Sequence, residues 1–295
     1  MRLLKSWIII LILLVIISHS CKKDDESTAS LNNEYRLKEW KYYENNSFQN
    51  RSVLTYDADR LSEINYYDTP TDKGIAELKR RITFSYSGEN VEVNDYDVTT
   101  SGHQLMAIEK RKFSGDKLTE LNEYISDHSS PDFTSTFVYS DDKLSTKIFQ
   151  DHVDGRTITE VYSWKDSKIK TIKITTNHNT YTTIEDEVLS YNGGDISSIV
   201  SYMSGDTWAD TSKTTFTYND DIVSTKFYFM YWGNWEFDWE QTFILDDFGN
   251  TIRIYNGDLG APLFMEYFYE RNNGNFTQVF LTPDFSFSGL LIQLF

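Results

Sequence analysis

The sequence predicts an all-β protein, an up-and-down antiparallel meander of about 18 strands that is closed or strongly curled. One hairpin-like segment recurs nine times between positions 50 and 280, which is the signature of a repeat architecture. The chain carries 20 Tyr, 19 Phe and 7 Trp beside only 4 Pro, a composition that favours β-sheet. None of its segments shows a clear helical period.

Each copy begins with an alternating strand that ends in a large residue, here called the anchor. The anchors are Tyr56, Tyr86, Phe113, Tyr139, Trp164, Tyr191, Tyr218, Leu245 and Tyr269, spaced about 27 residues apart. Four turn residues follow each anchor, and then an apolar residue, namely Leu61, Val91, Leu118, Leu144, Ile169, Ile196 or Val223 in the first seven copies. A tight turn places the anchor and this fifth residue opposite each other in an antiparallel pair. Gly in SGEN, SGDK and NGGD suits the positive φ of such turns.

A second apolar residue often stands eight positions after the anchor, as Ile64, Leu121, Ile172 and Ile199 do. It lies three positions after the first apolar residue, and in a flat strand that spacing changes the face. Either a β-bulge recurs there or both faces of the sheet are buried.

Nine hairpins give about 18 strands, and the aromatic segment from Leu37 to Tyr43 offers an additional opening strand. Open twisted sheets seldom exceed about ten strands, so this sheet must close, fold over or coil. A closed ring of about 16 to 18 strands is expected to enclose a channel too wide for side chains to fill. An open coiled sheet is the alternative architecture.

The first 34 residues are expected to be an export signal followed by a tether. Residues 1–20 combine a positive start with the apolar run from Trp7 to Ile17, as a signal peptide does. The single cysteine, Cys21, follows directly, and this layout resembles a bacterial lipoprotein signal, which implies lipidation of Cys21. The tract from Lys22 to Glu26 is similar to that of Bacteroidota lipoproteins exported to the cell surface. We therefore expect an outer-membrane lipoprotein facing the exterior, with a polar tether over 21–34 and one repetitive β domain over 35–295. A cleaved secretory peptide with an incidental cysteine is the alternative.

The segments TYDADR, VYSDDK and TYNDD resemble the tyrosine–aspartate (YD) repeat. Together the hairpins also resemble a Bacteroidota family of unknown function described as having a porin-like fold. That resemblance implies architecture and no catalytic residues. Charges on both faces of several strands, such as Lys79 to Arg81, disfavour a lipid-facing barrel.

The net charge of −17 makes nucleic acid an improbable partner, because phosphate binding needs a surplus of Lys and Arg. The densest aromatic stretch runs from Phe227 to Glu240 and provides the candidate binding residues. These are Trp232, Trp235 and Trp239, with Trp208 in the preceding turn at the same end and Glu236 and Asp238 as hydrogen-bond acceptors. Exposed Trp rings can stack on sugars or contact a protein; the alternative is that they only cover a sheet face.

Other polar clusters have simpler interpretations. His103, His128, His152 and His178 fall in or beside consecutive turns, but loops about 10 Å apart do not converge on one metal ion. Acidic turn residues suit local backbone hydrogen bonds better than a calcium site. No cofactor and no metal is expected, and no catalytic motif stands out.

The sequence thus favours a non-enzymatic surface lipoprotein with a binding or structural role, its partner a glycan or a protein. A glycan-degrading hydrolase with paired carboxylates in the lumen and a carrier of an apolar molecule are the alternatives.

Overall fold

The computed structural model describes residues 35–58, 60–68, 76–125, 128–205, 209–247, 250–258, 260–271, 279–283 and 290–294. The predicted signal peptide, Cys21, the tether and Trp208 lie outside these residues. The strands are β1 (Tyr35–Glu44), β2 (Ser47–Asp57), β3 (Arg60–Asp68), β4 (Leu78–Ser87), β5 (Asn90–Thr99), β6 (Gly102–Ser114), β7 (Lys117–Ile125), β8 (Phe133–Ser140), β9 (Lys143–Asp151), β10 (Arg156–Lys165), β11 (Lys168–Asn177), β12 (Thr182–Asn192), β13 (Asp195–Ser204), β14 (Ala209–Asn219), β15 (Ile222–Tyr231), β16 (Asn234–Leu245), β17 (Thr251–Tyr255), β18 (Leu263–Arg271), β19 (Val279–Pro283) and β20 (Leu290–Leu294).

Strands β1 to β18 form a closed antiparallel barrel. Each strand pairs with the next one in the chain, and β18 pairs with β1 to complete the ring. Strands β19 and β20 form a separate hairpin. The predicted all-β, 18-stranded up-and-down architecture is therefore confirmed in its closed form. None of the described residues builds a helix long and apolar enough to cross a membrane.

The predicted hairpin register is confirmed in the first seven copies. Tyr56 lies opposite Leu61, and Tyr86 lies opposite Val91, with the later anchors paired in the same way. Gly in three of the turns adopts positive φ, for example Gly88 at 58°. Elsewhere Asn, Asp and Ser adopt this conformation, which suits two-residue hairpin turns.

A recurrent bulge explains the apolar residue eight positions after the anchor. In the hairpin of β2 and β3, Tyr56 pairs with Leu61 but Thr55 pairs with Glu63, so Ser62 is an extra residue. The extra residue returns Ile64 to the face of Leu61, and both are 0% exposed. The hairpins of β4–β5 and β14–β15 have no such shift.

The opening strand completes the ninth hairpin. Tyr269, the last anchor, lies opposite Leu37 of β1, as Tyr56 lies opposite Leu61. A bulge follows Leu37 as well, because the register shifts between Leu37 and Glu39. The 18 strands are thus eight hairpins plus one that is assembled from the two ends of the repeat region.

The bulges and the anchors act together around the ring. Where a bulge interrupts the ladder, the carbonyl before the extra residue loses its regular partner, and at six of these bulges the next anchor donates a hydrogen bond to it. The bonds run from Tyr56 Oη to Leu37 O (2.6 Å), Tyr86 Oη to Leu61 O (2.8 Å), Tyr139 Oη to Leu118 O (3.0 Å), Trp164 Nε1 to Leu144 O (2.7 Å), Tyr191 Oη to Ile169 O (2.8 Å) and Tyr269 Oη to Thr251 O (3.0 Å). Phe113 and Leu245, which have no side-chain donor, follow the two hairpins without a bulge. Their backbone N–H groups instead donate to Glu89 O (2.8 Å) and Asp221 O (2.7 Å) of those hairpins.

Five cations cover the same anchor rings, each from the residue just before the carbonyl acceptor. They are Arg36 over Tyr56, Arg60 over Tyr86, Lys117 over Tyr139, Lys143 over Trp164 and Lys168 over Tyr191, at 4.3 to 5.7 Å from the ring centroid. Each such contact stabilises by roughly 0.5–1 kcal/mol at an exposed site. Consecutive hairpins are therefore linked by a repeated side-chain unit as well as by the sheet.

The inward-facing side chains of the barrel change from apolar to charged along its axis. Near the anchor turns they are apolar, and Leu61, Leu189 and Phe243 are 0% exposed. Burial this complete requires other side chains to cover them, so packed apolar side chains line the barrel at this level. Towards the opposite end the inward positions become charged, with ion pairs such as Arg80 with Asp95 (2.5 Å).

Candidate functional site

The hairpin of β15 and β16 ends in the most exposed aromatic residue among those described. Trp232 is 94% exposed, and it adopts φ of 49° in a turn with Gly233 at 81°. Positive φ is unfavourable for a bulky residue, and the corresponding turns of this barrel use Asn45, Asp141 and Asp166 there. Trp232 therefore occupies a position that suits Asn or Asp, and its ring is in water. We call this turn, with Tyr231 and Trp235 on either side, the aromatic tip.

Further apolar side chains lie on the outer face of the same hairpin. Tyr228 pairs with Phe237, and their rings meet edge to face at 5.9 Å. Met230 pairs with Trp235, whose ring lies 5.8 Å from the Lys213 ammonium. Phe237 is 57% exposed and Trp235 is 38% exposed. The outer face of this hairpin thus continues the apolar surface of the tip.

A bulge separates the predicted site residues onto two faces. Trp239 pairs with Phe227 and Phe237 pairs with Tyr228, so Asp238 is an extra residue. Trp239 consequently turns inwards and stacks on Phe227 at 5.6 Å, although it is four residues from Trp235. Sequence spacing alone would have placed the two Trp residues on one face.

The two predicted hydrogen-bond acceptors, Glu236 and Asp238, also lie at different places on the hairpin. Glu236 lies opposite Phe229, on the inner side of the hairpin, and Asp238 is at the bulge; both side chains are exposed. The structure therefore brings Trp232 and Trp235 together at the tip. Glu236 lies beside them on the other face, and Trp239 belongs to the barrel interior.

The aromatic tip and the start of the barrel are at opposite ends. Tyr35, the first residue of β1, pairs with Arg271 beside the last anchor, so the chain enters at the anchor end. Strand β15 starts at the anchor turn after Asn219 and runs to the tip. Its ten residues span roughly 30 Å at about 3.3 Å each. Any tether before β1 therefore joins the barrel at the end far from the tip.

A carboxylate cluster that sequence analysis missed lies inside the barrel wall. Glu187 on β12 is 4% exposed, and its Oε2 atom has no hydrogen-bond partner among the described residues. Burial, and then repulsion from Glu185 and Glu160, raise the pKa of Glu187 to about 8. Lys147 lies 3.0 Å from Glu160, and Ser201 donates to Glu185. The alternation of β12 could have indicated that Glu185 and Glu187 share a face, but not that this face is buried.

The cluster does not favour the predicted hydrolase alternative. A hydrolase needs carboxylates that a sugar polymer can reach, whereas Glu187 is almost completely covered. Within the described ranges, no group of three or more His, Cys, Asp or Glu side chains is arranged to hold a metal ion.

The four histidines each have their own local partner. His103 meets Tyr96 edge to face (6.3 Å), His178 stacks on Tyr181 (4.2 Å), His128 Nδ1 lies 2.9 Å from Asp132 Oδ1, and His152 Nε2 lies 3.1 Å from Thr134 Oγ1. These contacts are those of polar turn residues.

Comparison with known proteins gives a likeness of structure and no family. No protein-family model matches the chain, and a search of curated proteins found no match. Among solved structures, a porin-like protein from Bacteroides uniformis ATCC 8492 aligns with 81% of this chain and 96% of its own. The sequence identity is 12% and the TM-score is 0.42. At this level of similarity the comparison assigns no role to any residue of this chain.

Proposed function

We propose that the protein is a non-enzymatic, lipid-tethered barrel on the outer membrane that holds its aromatic tip outwards to bind a partner. The observation that carries this proposal is Trp232. Its ring is 94% exposed and its backbone adopts an unfavourable conformation. Neither property stabilises the fold, and strained residues of this kind cluster at functional sites.

The end of the barrel at which β1 begins supports the same function. Lipidation at Cys21 would attach the membrane to the anchor end, because the tether leads directly into β1. The tip then points away from the membrane that holds the protein. A negative body is repelled by an anionic bilayer, so the tether keeps that end at a distance.

Replacing Trp232 with Asn tests whether the residue serves binding and not folding. Asn suits the turn, so Trp232→Asn should raise the unfolding free energy by about 1 kcal/mol and the thermal midpoint by about 2 °C. Phe243→Ala, inside the barrel, is the matched aromatic control and should lower the stability by about 3–5 kcal/mol.

The measurement is thermal and urea unfolding of the purified chain, followed by circular dichroism. A loss of stability in Trp232→Asn would show that the ring is structural, and the proposal would then be wrong.

A further inference from the structure

We infer that the aromatic tip binds a neutral glycan, which stacks on Trp232. This inference rests on the proposed function and adds the chemical class of the ligand. It follows from the area of the tip, from the polar groups beside it and from the charge of the chain.

The exposed aromatic area is smaller than the total area that one partner contributes to a standard protein interface. Trp232, Phe237, Tyr231 and Trp235 are 94%, 57%, 52% and 38% exposed. With about 150–250 Å² for each ring, they present roughly 500 Å² together. A stable protein–protein interface takes about 800 Å² from each partner. A few sugar rings can be accommodated on the apex alone.

The groups around the apex suit a sugar better than an apolar ligand. Trp232 offers an open indole face, which can cover the C–H face of a sugar ring and exclude water from it. The side chain of Asn234 is exposed opposite Tyr231, whose ring is 52% exposed, and Glu236 is exposed two residues further along the strand, on the inner face. An amide, a carboxylate and a phenol provide donors and acceptors for the hydroxyl groups at the edge of a sugar.

The charge of the chain selects against acidic polymers. With a formal charge of −17, the protein repels polyanions such as uronic acid polymers, and Glu236 adds to that repulsion at the tip. Neutral polysaccharides experience no such repulsion. Among glycans, the neutral ones therefore fit this site.

The test uses the mature chain with Cys21→Ser, which keeps it in solution, and affinity electrophoresis through gels that contain one polysaccharide each. The neutral probes are mannan, β-glucan and xyloglucan, and the acidic probe is alginate. We expect at least one neutral polymer to retard the protein and alginate to leave it unaffected. Trp232→Asn should weaken the binding at least about tenfold, whereas Trp232→Phe, which keeps a ring, should stay within about threefold.

Tyr181→Ala is the matched control, because Tyr181 is an aromatic residue that is 46% exposed in another turn at the same end. It should bind as the parent does. The glycan inference is overturned if no neutral polymer binds with a Kd below about 1 mM, or if Trp232→Asn binds as tightly as the parent.

A parallel measurement separates this inference from the proposed function. The same variants are applied to immobilised extracellular proteins from which glycans have been removed. Binding there that Trp232→Asn abolishes would refute the glycan and keep the tip as the binding surface. Binding that survives Trp232→Asn on every surface would refute both.

Discussion

Glu187→Gln should stabilise the barrel, and the gain should grow with pH. The pKa of Glu187 is raised from 4.5 to about 8, first by burial and then by Glu185 and Glu160. Below pH 4.5 the carboxyl is protonated in both the folded and the unfolded chain, so its contribution to stability is fully present. Between pH 4.5 and about 8 only the unfolded chain ionises, and stability falls by about 1.4 kcal/mol per pH unit. Above pH 8 the loss is complete.

The magnitude follows from the size of the shift. From 4.5 to about 8 the loss amounts to about 5 kcal/mol, of which about 3 kcal/mol is already present at pH 7. Gln has the shape of Glu and cannot ionise, and its amide can donate to the neighbouring carboxylates. The Glu187→Gln variant should therefore equal the parent near pH 4 and exceed it by up to about 5 kcal/mol at pH 9.

The assay is urea unfolding of both proteins at pH 4, 7 and 9, with Glu44→Gln as the control because Glu44 is exposed at the end of β1. The control should show no rising difference. A Glu187→Gln difference that is flat with pH, or a loss of stability at pH 9, would refute the reasoning from burial and repulsion.

Three further predictions test the fold and the tether. Tyr86→Phe removes the donor to the carbonyl of Leu61, so thermal unfolding should show a loss of stability of about 1–2 kcal/mol. Phe113→Tyr should give no gain in stability, because Phe113 follows a hairpin without a bulge. A loss in the first variant matched by an equal gain in the second would contradict this link between bulge and donor. Ile64→Ala should cost about 2–5 kcal/mol in urea unfolding, since Ile64 is 0% exposed, and a cost below 1 kcal/mol would show that its site is not tightly packed. Cys21→Ser should move the protein from the membrane to the soluble fraction on cell fractionation, and continued membrane association would exclude lipidation as the anchor.

Much of the strand pairing in the barrel could be predicted, because it joins residues that are close in sequence. The five-residue spacing from anchor to partner fixes each hairpin, since a tight turn permits one register. The position of the second apolar residue even distinguishes the hairpins: Ile64, eight after Tyr56, follows a bulge, whereas Val93, seven after Tyr86, continues a regular strand. A local pattern of this kind is recorded directly in the order of the residues.

The candidate site was only partly predictable because its geometry depends on exceptions to that pattern. Because of the bulge at Asp238, Trp239 points inwards while Trp235 stays outside, and the neighbouring residues of β16 carry no sequence signal of this change. Nor does any spacing show that Glu187 would be buried. Burial depends on residues that are distant in sequence.

The order of residues by itself determined the repeated β-hairpin, its register and its turn chemistry, because each of these depends on neighbours within about ten positions, and the composition determined the acidic charge. Tertiary structure decided how the ring closes, with Leu37 of the first strand completing the hairpin of Tyr269. It also decided that β1 pairs with β2 on one side and with β18 on the other. Those outcomes depend on contacts between segments more than 200 residues apart, and only the closed ring brings such segments together.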